Sequence, residues 1–294
     1  MEFNEETSDS PVRAAASVVM LKDGPAGLEV FLIRRHGLSD VLGGAYVFPG
    51  GKVDPDDQRA DVQACLDAPA SSLRAALAEP ELDAASAAAL YVAALREAFE
   101  ETGVLYARGA REREATLAAQ LLREHRDFAL MLARMPLRLE ASRLQPWSRW
   151  ITPRVGAVQR KRFDTRFFLA PVPEGQLPRH DNHEATESVW LTPRAALQQY
   201  WEGRIELAPP QILGLAHLAR HPSVAAAIAQ ARLRPPPLVE PEPFDDNGAR
   251  AVCYPGDMRH PVRERALPGP TRLHYRNRRF EPAGGFEALF ADAA

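Results

Sequence analysis

The chain has 294 residues, 46% of them hydrophobic and 26% charged, with a formal net charge of −3. That is material for one large domain or two modest ones around a buried core, and the near-neutral balance argues against a nucleic-acid-binding surface. The most apolar stretch, "ASAAALYVAAL", is mostly alanine and too short to span a bilayer, so no membrane partner is expected.

The first residues, "MEFNEETSDS", are acidic and polar, unlike a secretory or mitochondrial signal, and residues 1–12 read as a flexible tail. With no peroxisomal or retention signal in "FADAA", the expected location is cytoplasmic. Residues 13–21 and 28–35 are β-rich runs joined by "KDGPAG", a hairpin pattern. The next segment, "GLSDVLGGAYVFPGGKVDPDD", is dense in Gly, Asp and Pro and reads as a loop with a short strand at 46–48. Residues 59–82 are polar and alanine-rich, broken at Pro69 and Pro80, which suits short helices.

A long helix is predicted over 84–102, stopped by Gly103, and another over 112–133. "SRWITP", "RFDTRFFLAPV" and "ESVWLTP" read as strands, followed by helices over 194–201, 210–220 and 223–232. "RPPPLVEPEPF" must be extended, and the last fifty or so residues, broken by Gly and Pro, are expected to wrap the domain or serve a dimer contact. Cys65 and Cys253 show neither zinc-ligand spacing nor a sign of pairing. Elements interleave without regular βαβ alternation, favouring a mixed α/β sandwich.

The most informative stretch is "REAFEETGV", residues 96–104. On a helix, Glu97, Glu100 and Glu101 fall within about a 100° sector, with Val92, Leu95, Phe99 and Thr102 opposite. A solvated acidic face would produce the same pattern. These acids, however, sit in the last turn, at the negative end of the helix dipole, and Glu97 and Glu101 repel at i,i+4. A hard divalent cation would reverse both penalties, and Mg²⁺ in particular takes oxygen ligands and is completed by substrate phosphate. Upstream, "YVFPGG" sets Gly50 and Gly51 directly after a strand, where a backbone without Cβ can approach a ligand; alone, "PGG" reads as an ordinary tight turn.

Together these pieces resemble the Nudix hydrolases, whose signature runs Gly-x5-Glu-x7-Arg-Glu-U-x-Glu-Glu-x-Gly-U, with U aliphatic. Arg96, Glu97, Ala98, Glu100, Glu101, Gly103 and Val104 match its second half, and Gly51 its first, with Asp57 where the family has Glu. The spacer between Asp57 and Arg96 is far longer than seven residues, so a helical insertion at about 59–90 must leave and return. That insertion, "GAYVFPGG" and "RWITP…RFDTRFFLAP" are similar to the acyl-coenzyme A diphosphatase subgroup. One departure is that Asp40 stands where the coenzyme A signature has Arg, four residues before Gly44.

The resemblance implies an α/β fold, a Nudix-type α/β/α sandwich around a mixed β-sheet. The domain would span 13–232, with a helical or irregular Pro-rich extension over 233–294 packed on it or on a partner such as a second copy. It implies metal-dependent hydrolysis of a nucleotide diphosphate, coenzyme A or acyl-coenzyme A first. ADP-ribose, nucleotide sugars, dinucleotide polyphosphates and a non-catalytic nucleotide sensor are the alternatives. Glu97, Glu100 and Glu101 would hold Mg²⁺ or Mn²⁺, with Gly51 or Gly50 adding a carbonyl and Arg96 pairing with an acid such as Asp57. The general base would be a helix glutamate or Glu184 or Glu187 from "DNHEATESVW", where His180 and His183 read as solvated. Arg34, Arg35, Arg162 and Arg166 are candidate phosphate contacts, at most one of the adjacent Arg34 and Arg35 facing the site. The run Arg160-Lys161-Arg162 reads as a solvated edge, and Tyr46, Phe163 and Trp190 as core aromatics that could also stack on adenine.

Overall fold

The computed structural model describes residues 10–37, 42–154, 161–181 and 185–291. The predicted hairpin forms as β1 (Arg13–Gly24) and β2 (Gly27–Arg35), followed by β3 (Tyr46–Val47) and β4 (Gly50–Lys52). The insertion carries α1 (Ala60–Gln63) and α2 (Ala70–Leu77) and leads into α3 (Ala84–Thr102). The Asp83 side chain accepts the Ser86 N–H and starts α3 there, where the sequence predicts the helix. Gly103, at φ 73°, closes α3 in the left-handed conformation.

The stretch expected as one helix over 112–133 divides into α4 (Glu112–His125) and α5 (Phe128–Arg134). Arg126 turns left-handed at φ 52° between them, and Asp127 caps the second. Then come β5 (Gln145–Ile151), β6 (Phe163–Pro171), β7 (Ala185–Leu191), α6 (Pro193–Trp201), α7 (Pro209–Leu218) and α8 (Val224–Ala231).

In the main sheet, β1 is parallel to β6 along its length; on its other side it pairs with β2 and β4. β2 also pairs with β7, and β5 flanks β6. Residues 15–21 of β1 are buried on both faces. Ala16, Val18 and Met20 join a core with α3, α4 and α5, while Val19 and Leu21 join a second core with α6, α7 and α8. Helices thus cover both faces of a mixed sheet. Among the described residues no helix is long and apolar enough to cross a membrane, and both cysteines are free.

The C-terminal part departs from the helical or irregular expectation. Its proline-rich stretch places β8 (Leu238–Val239) beside β5, in parallel. Then β9 (Glu242–Asp246), β10 (Ala249–Cys253), β11 (Arg272–Arg276) and β12 (Arg279–Glu281) form a second, antiparallel sheet in the order β12-β11-β10-β9. Val252, Tyr254, Leu273 and Phe280 belong to the same core as α6 and α7.

Candidate active site

Arg96 organises the acidic corner. Its guanidinium donates from Nε and Nη2 to the two carboxylate oxygens of Asp57 at 2.9 and 3.0 Å, a forked pair across the whole insertion. Nη1 donates to Glu97 at 2.8 Å and Glu100 at 3.1 Å, and Nη2 also reaches the Lys52 carbonyl at 3.1 Å. Burial works against this charge, but the bond to Asp57 and the charges of Glu97, Asp57 and Glu100 outweigh it, so the guanidinium is held more firmly protonated than usual. Asp57 is 1% exposed and also accepts the Asp54 N–H at 2.8 Å. Desolvation pushes the Glu100 carboxyl above its ordinary range, against the pull of Arg96.

The glycine loop packs directly on this helix. β4 pairs with β1 so that Gly50 lies opposite Ser17 and Gly51 opposite Ala16. Gly50, at φ 155°, donates its N–H to the buried Glu101 carboxylate at 2.7 Å, and a Cβ there would meet the Ala16 carbonyl oxygen at 2.4 Å. A Cβ on Gly51 would come within 2.5 Å of Glu97 Oε1, so that carboxylate rests against bare backbone. Among the described residues no three His, Cys, Asp or Glu side chains already form an ion-holding group: Arg96 engages Glu97 and Glu100, and the Gly50 amide engages Glu101. The donors in this corner are nonetheless all oxygen, on a backbone stripped of Cβ where the Glu97 carboxylate lies. That chemistry fits a small hard divalent cation.

A cleft of about 530 Å³ opens from this corner. Glu97, Glu100, Gly50 and Gly51 line it, together with the cationic side chains of Arg13, Arg35, Lys52 and Lys161. Of the adjacent pair, Arg35 lines the cleft; Arg34 instead contacts Glu187 at 3.7 Å and the Gly44 carbonyl.

Two predicted phosphate contacts are elsewhere. On β6 the alternation puts Phe163, Thr165 and Phe167 along the cleft and turns Arg166 the other way. There Arg166 is 5% exposed, held by Glu79 at 3.0 Å through Nε and by Asp164 at 2.9 Å. Arg162, just before β6, is 6% exposed and donates to the Thr152 carbonyl at 3.1 Å. Lys161, read as part of a solvated edge, is a cleft residue instead.

Glu187 lies on β7 against Tyr46, whose hydroxyl it hydrogen-bonds; burial first, then this carboxylate, push the phenol up to about 12. Glu187 is not among the residues that line the cleft. Glu184, His183 and Asp40 lie outside the described residues, and His180 contacts Ser188 Oγ at 3.0 Å. Phe163 lines the cleft, whereas Trp190 packs on Phe31 at 5.2 Å between ring centroids.

A mixed sheet between helical layers, with a Gly-Gly loop seated on a glutamate-bearing helix, is a Nudix domain. The chain belongs to that family, within its NUDT19 branch: residues 11–218 match the family model described as the NUDT19 Nudix domain. It is 31% identical over 245 residues to acyl-coenzyme A diphosphatase NUDT19 of Gallus gallus, covering 68% of this chain and 64% of that protein. For the Xenopus laevis protein of that name, identity is 27% over 231 residues, covering 65% and 59%. The chain thus spans less than two thirds of these relatives' length. A crystal structure of a Nudix hydrolase from Alicyclobacillus acidocaldarius superposes with a TM-score of 0.60 at 28% identity, covering 76% of this chain and 97% of that one.

Proposed function

We propose that this chain hydrolyses the diphosphate bridge of coenzyme A or its acyl thioesters, in a reaction dependent on Mg²⁺ or Mn²⁺. The products would be 3′,5′-ADP and phosphopantetheine or acyl-phosphopantetheine. The observation that carries this reading is the single cleft in which Glu97, Glu100 and the Gly50-Gly51 backbone stand beside Arg13, Arg35, Lys52 and Lys161. The names of the vertebrate relatives supply the substrate.

In this reading Glu97, Glu100 and Glu101, with a carbonyl from Gly51 or Gly50, hold the cation. When bound, it neutralises charge on the diphosphate and makes phosphorus accessible to a nucleophile. Arg96 keeps Glu97 and Glu100 oriented while its own charge is balanced by Asp57. The four flanking cations bind the diphosphate and the 3′-phosphate; Arg35 in particular can grip a phosphate with both arms of its fork. Water adds to one phosphorus, the bridging P–O bond breaks, and the bridge oxygen leaves on the second phosphate with the bonding electrons. A helix glutamate accepts the water's proton. Glu97 and Glu100 line the cleft and Glu187 does not, which favours α3 for that role.

A substrate panel tests the reading: coenzyme A, acyl-coenzyme A, ADP-ribose, a nucleotide sugar and a dinucleotide polyphosphate, each with Mg²⁺ or Mn²⁺. Chromatography should show 3′,5′-ADP released from the first two at the highest kcat/KM. Preference for another member overturns the substrate, and binding without any product favours a sensor.

A further inference from the structure

We infer that the C-terminal sheet builds an acyl-binding chamber at the far end of the catalytic cleft, so that the extension sets selectivity for the substrate's acyl group. This rests on the diphosphatase reading above. The carboxylates lie on α3, which packs on one face of the main sheet, whereas the extension packs on the other face. The same cleft reaches both. Beyond the cationic residues its walls become apolar: Trp150 and Phe167 come from the main sheet, and Pro241, Pro243, Val252 and Phe280 from the extension. Those four lie outside residues 11–218, the part that matches the family model.

The two ends together indicate the occupant. One end offers cations to a nucleotide diphosphate; the other offers prolines, valine and aromatic carbon, which suit an alkyl chain rather than the hydrogen-bonding edge of a purine. The pocket's about 530 Å³ lies within the ordinary range for a small-molecule site.

The experiment measures dissociation constants of the full chain in EDTA, where binding is read without turnover, for coenzyme A and its acetyl, hexanoyl and decanoyl thioesters. Affinity should tighten with chain length, by up to about fourfold per buried methylene. Pro243, half-buried in β9 and paired with Val252, is the position to change. Pro243→Asp should lower the ratio of decanoyl to unacylated affinity at least about tenfold, the effect of one fixed charge in an apolar wall. Pro243→Leu should preserve that ratio. Equal affinities along the unmodified series, or a Pro243→Asp loss shared equally by coenzyme A and its thioesters, would overturn the chamber. Length-dependent binding with no turnover in Mg²⁺ would keep the chamber and remove the hydrolase reading.

Discussion

Arg96 is fixed by burial as much as by charge: its side chain is 8% exposed and that of Asp57 is 2% exposed. Breaking such a pair from one side leaves an uncompensated ion, so Arg96→Ala should lower unfolding free energy by about 3–5 kcal/mol. Urea denaturation would show it, and an unchanged midpoint would rule out a structural role. Arg96→Lys should recover only part of the loss, because an ammonium cannot fork onto Asp57 while also reaching Glu97 and Glu100. The glutamates are a different case. Glu100→Gln and Glu101→Gln should fold normally yet lose about two orders of magnitude or more in kcat, with weakened Mn²⁺ binding by electron paramagnetic resonance. Normal rates in both would show that these acids hold no catalytic ion. At this scale the sequence showed which groups gather where they are neighbours in the chain: Arg96-Glu97 with Glu100-Glu101, and Gly50-Gly51, which the fold brings together. It misled at Arg162 and Arg166, because a guanidinium's partner is set by strand facing, and Glu79 is 87 residues from Arg166.

Among the elements, the insertion is held by ions as well as by Val62, Leu66, Leu73 and Leu77, which join the core of β1 and α3. Glu79, just past α2, accepts from Arg166 and from Arg149 at 2.8 Å, while Arg149 also forks onto Asp164 at 2.8 Å through each arm. Glu79→Ala leaves Arg166 and Arg149 to share Asp164 and should cost about 1–3 kcal/mol; hydrogen exchange would report it first at α2. On the opposite face, α7 buries His217 against Trp147, with ring centroids 5.3 Å apart. Desolvation, then the nearby His221, Arg234 and Arg220, lower its pKa from 6.5 to about 3. Since the unfolded chain binds this proton below pH 6.5 and the folded chain does not until about pH 3, stability falls as pH drops through that window. The slope from this group is about 1.4 kcal/mol per pH unit. His217→Leu should flatten the acid limb of a stability-against-pH curve by that amount; parallel curves would show the imidazole to be protonated in the fold.

For the whole molecule, the extension is part of the core rather than an appendage. Val252, Tyr254, Leu273 and Phe280 complete the hydrophobic cluster shared with α6 and α7. A chain cut after residue 232 should therefore lose cooperative unfolding and bind a hydrophobic dye; a monomeric, cooperatively folding fragment would overturn this. The layered domain was legible because its strands and helices carry strong local patterns, but the second sheet was not. Pro243 and the acidic residues of β9 mask strand periodicity, although Asn247-Gly248, both at positive φ, is a hairpin signal that the sequence did contain. Asn277 and Arg278 turn the next hairpin in the same left-handed way, where Arg at that position gives no such cue.

The pairing of β8 with β5 bears on how the protein behaves in a crowded solution. A sheet margin ordinarily offers a row of open amides and carbonyls to any passing chain. Here the outermost strand is only Leu238–Val239, with Pro235, Pro236 and Pro237 before it and Pro241 shortly after, residues that have no amide hydrogen to give. The proline tract thus acts as a selvedge on this margin, leaving little backbone for a stray strand to extend and guarding the concentrated protein against fibril growth from that side.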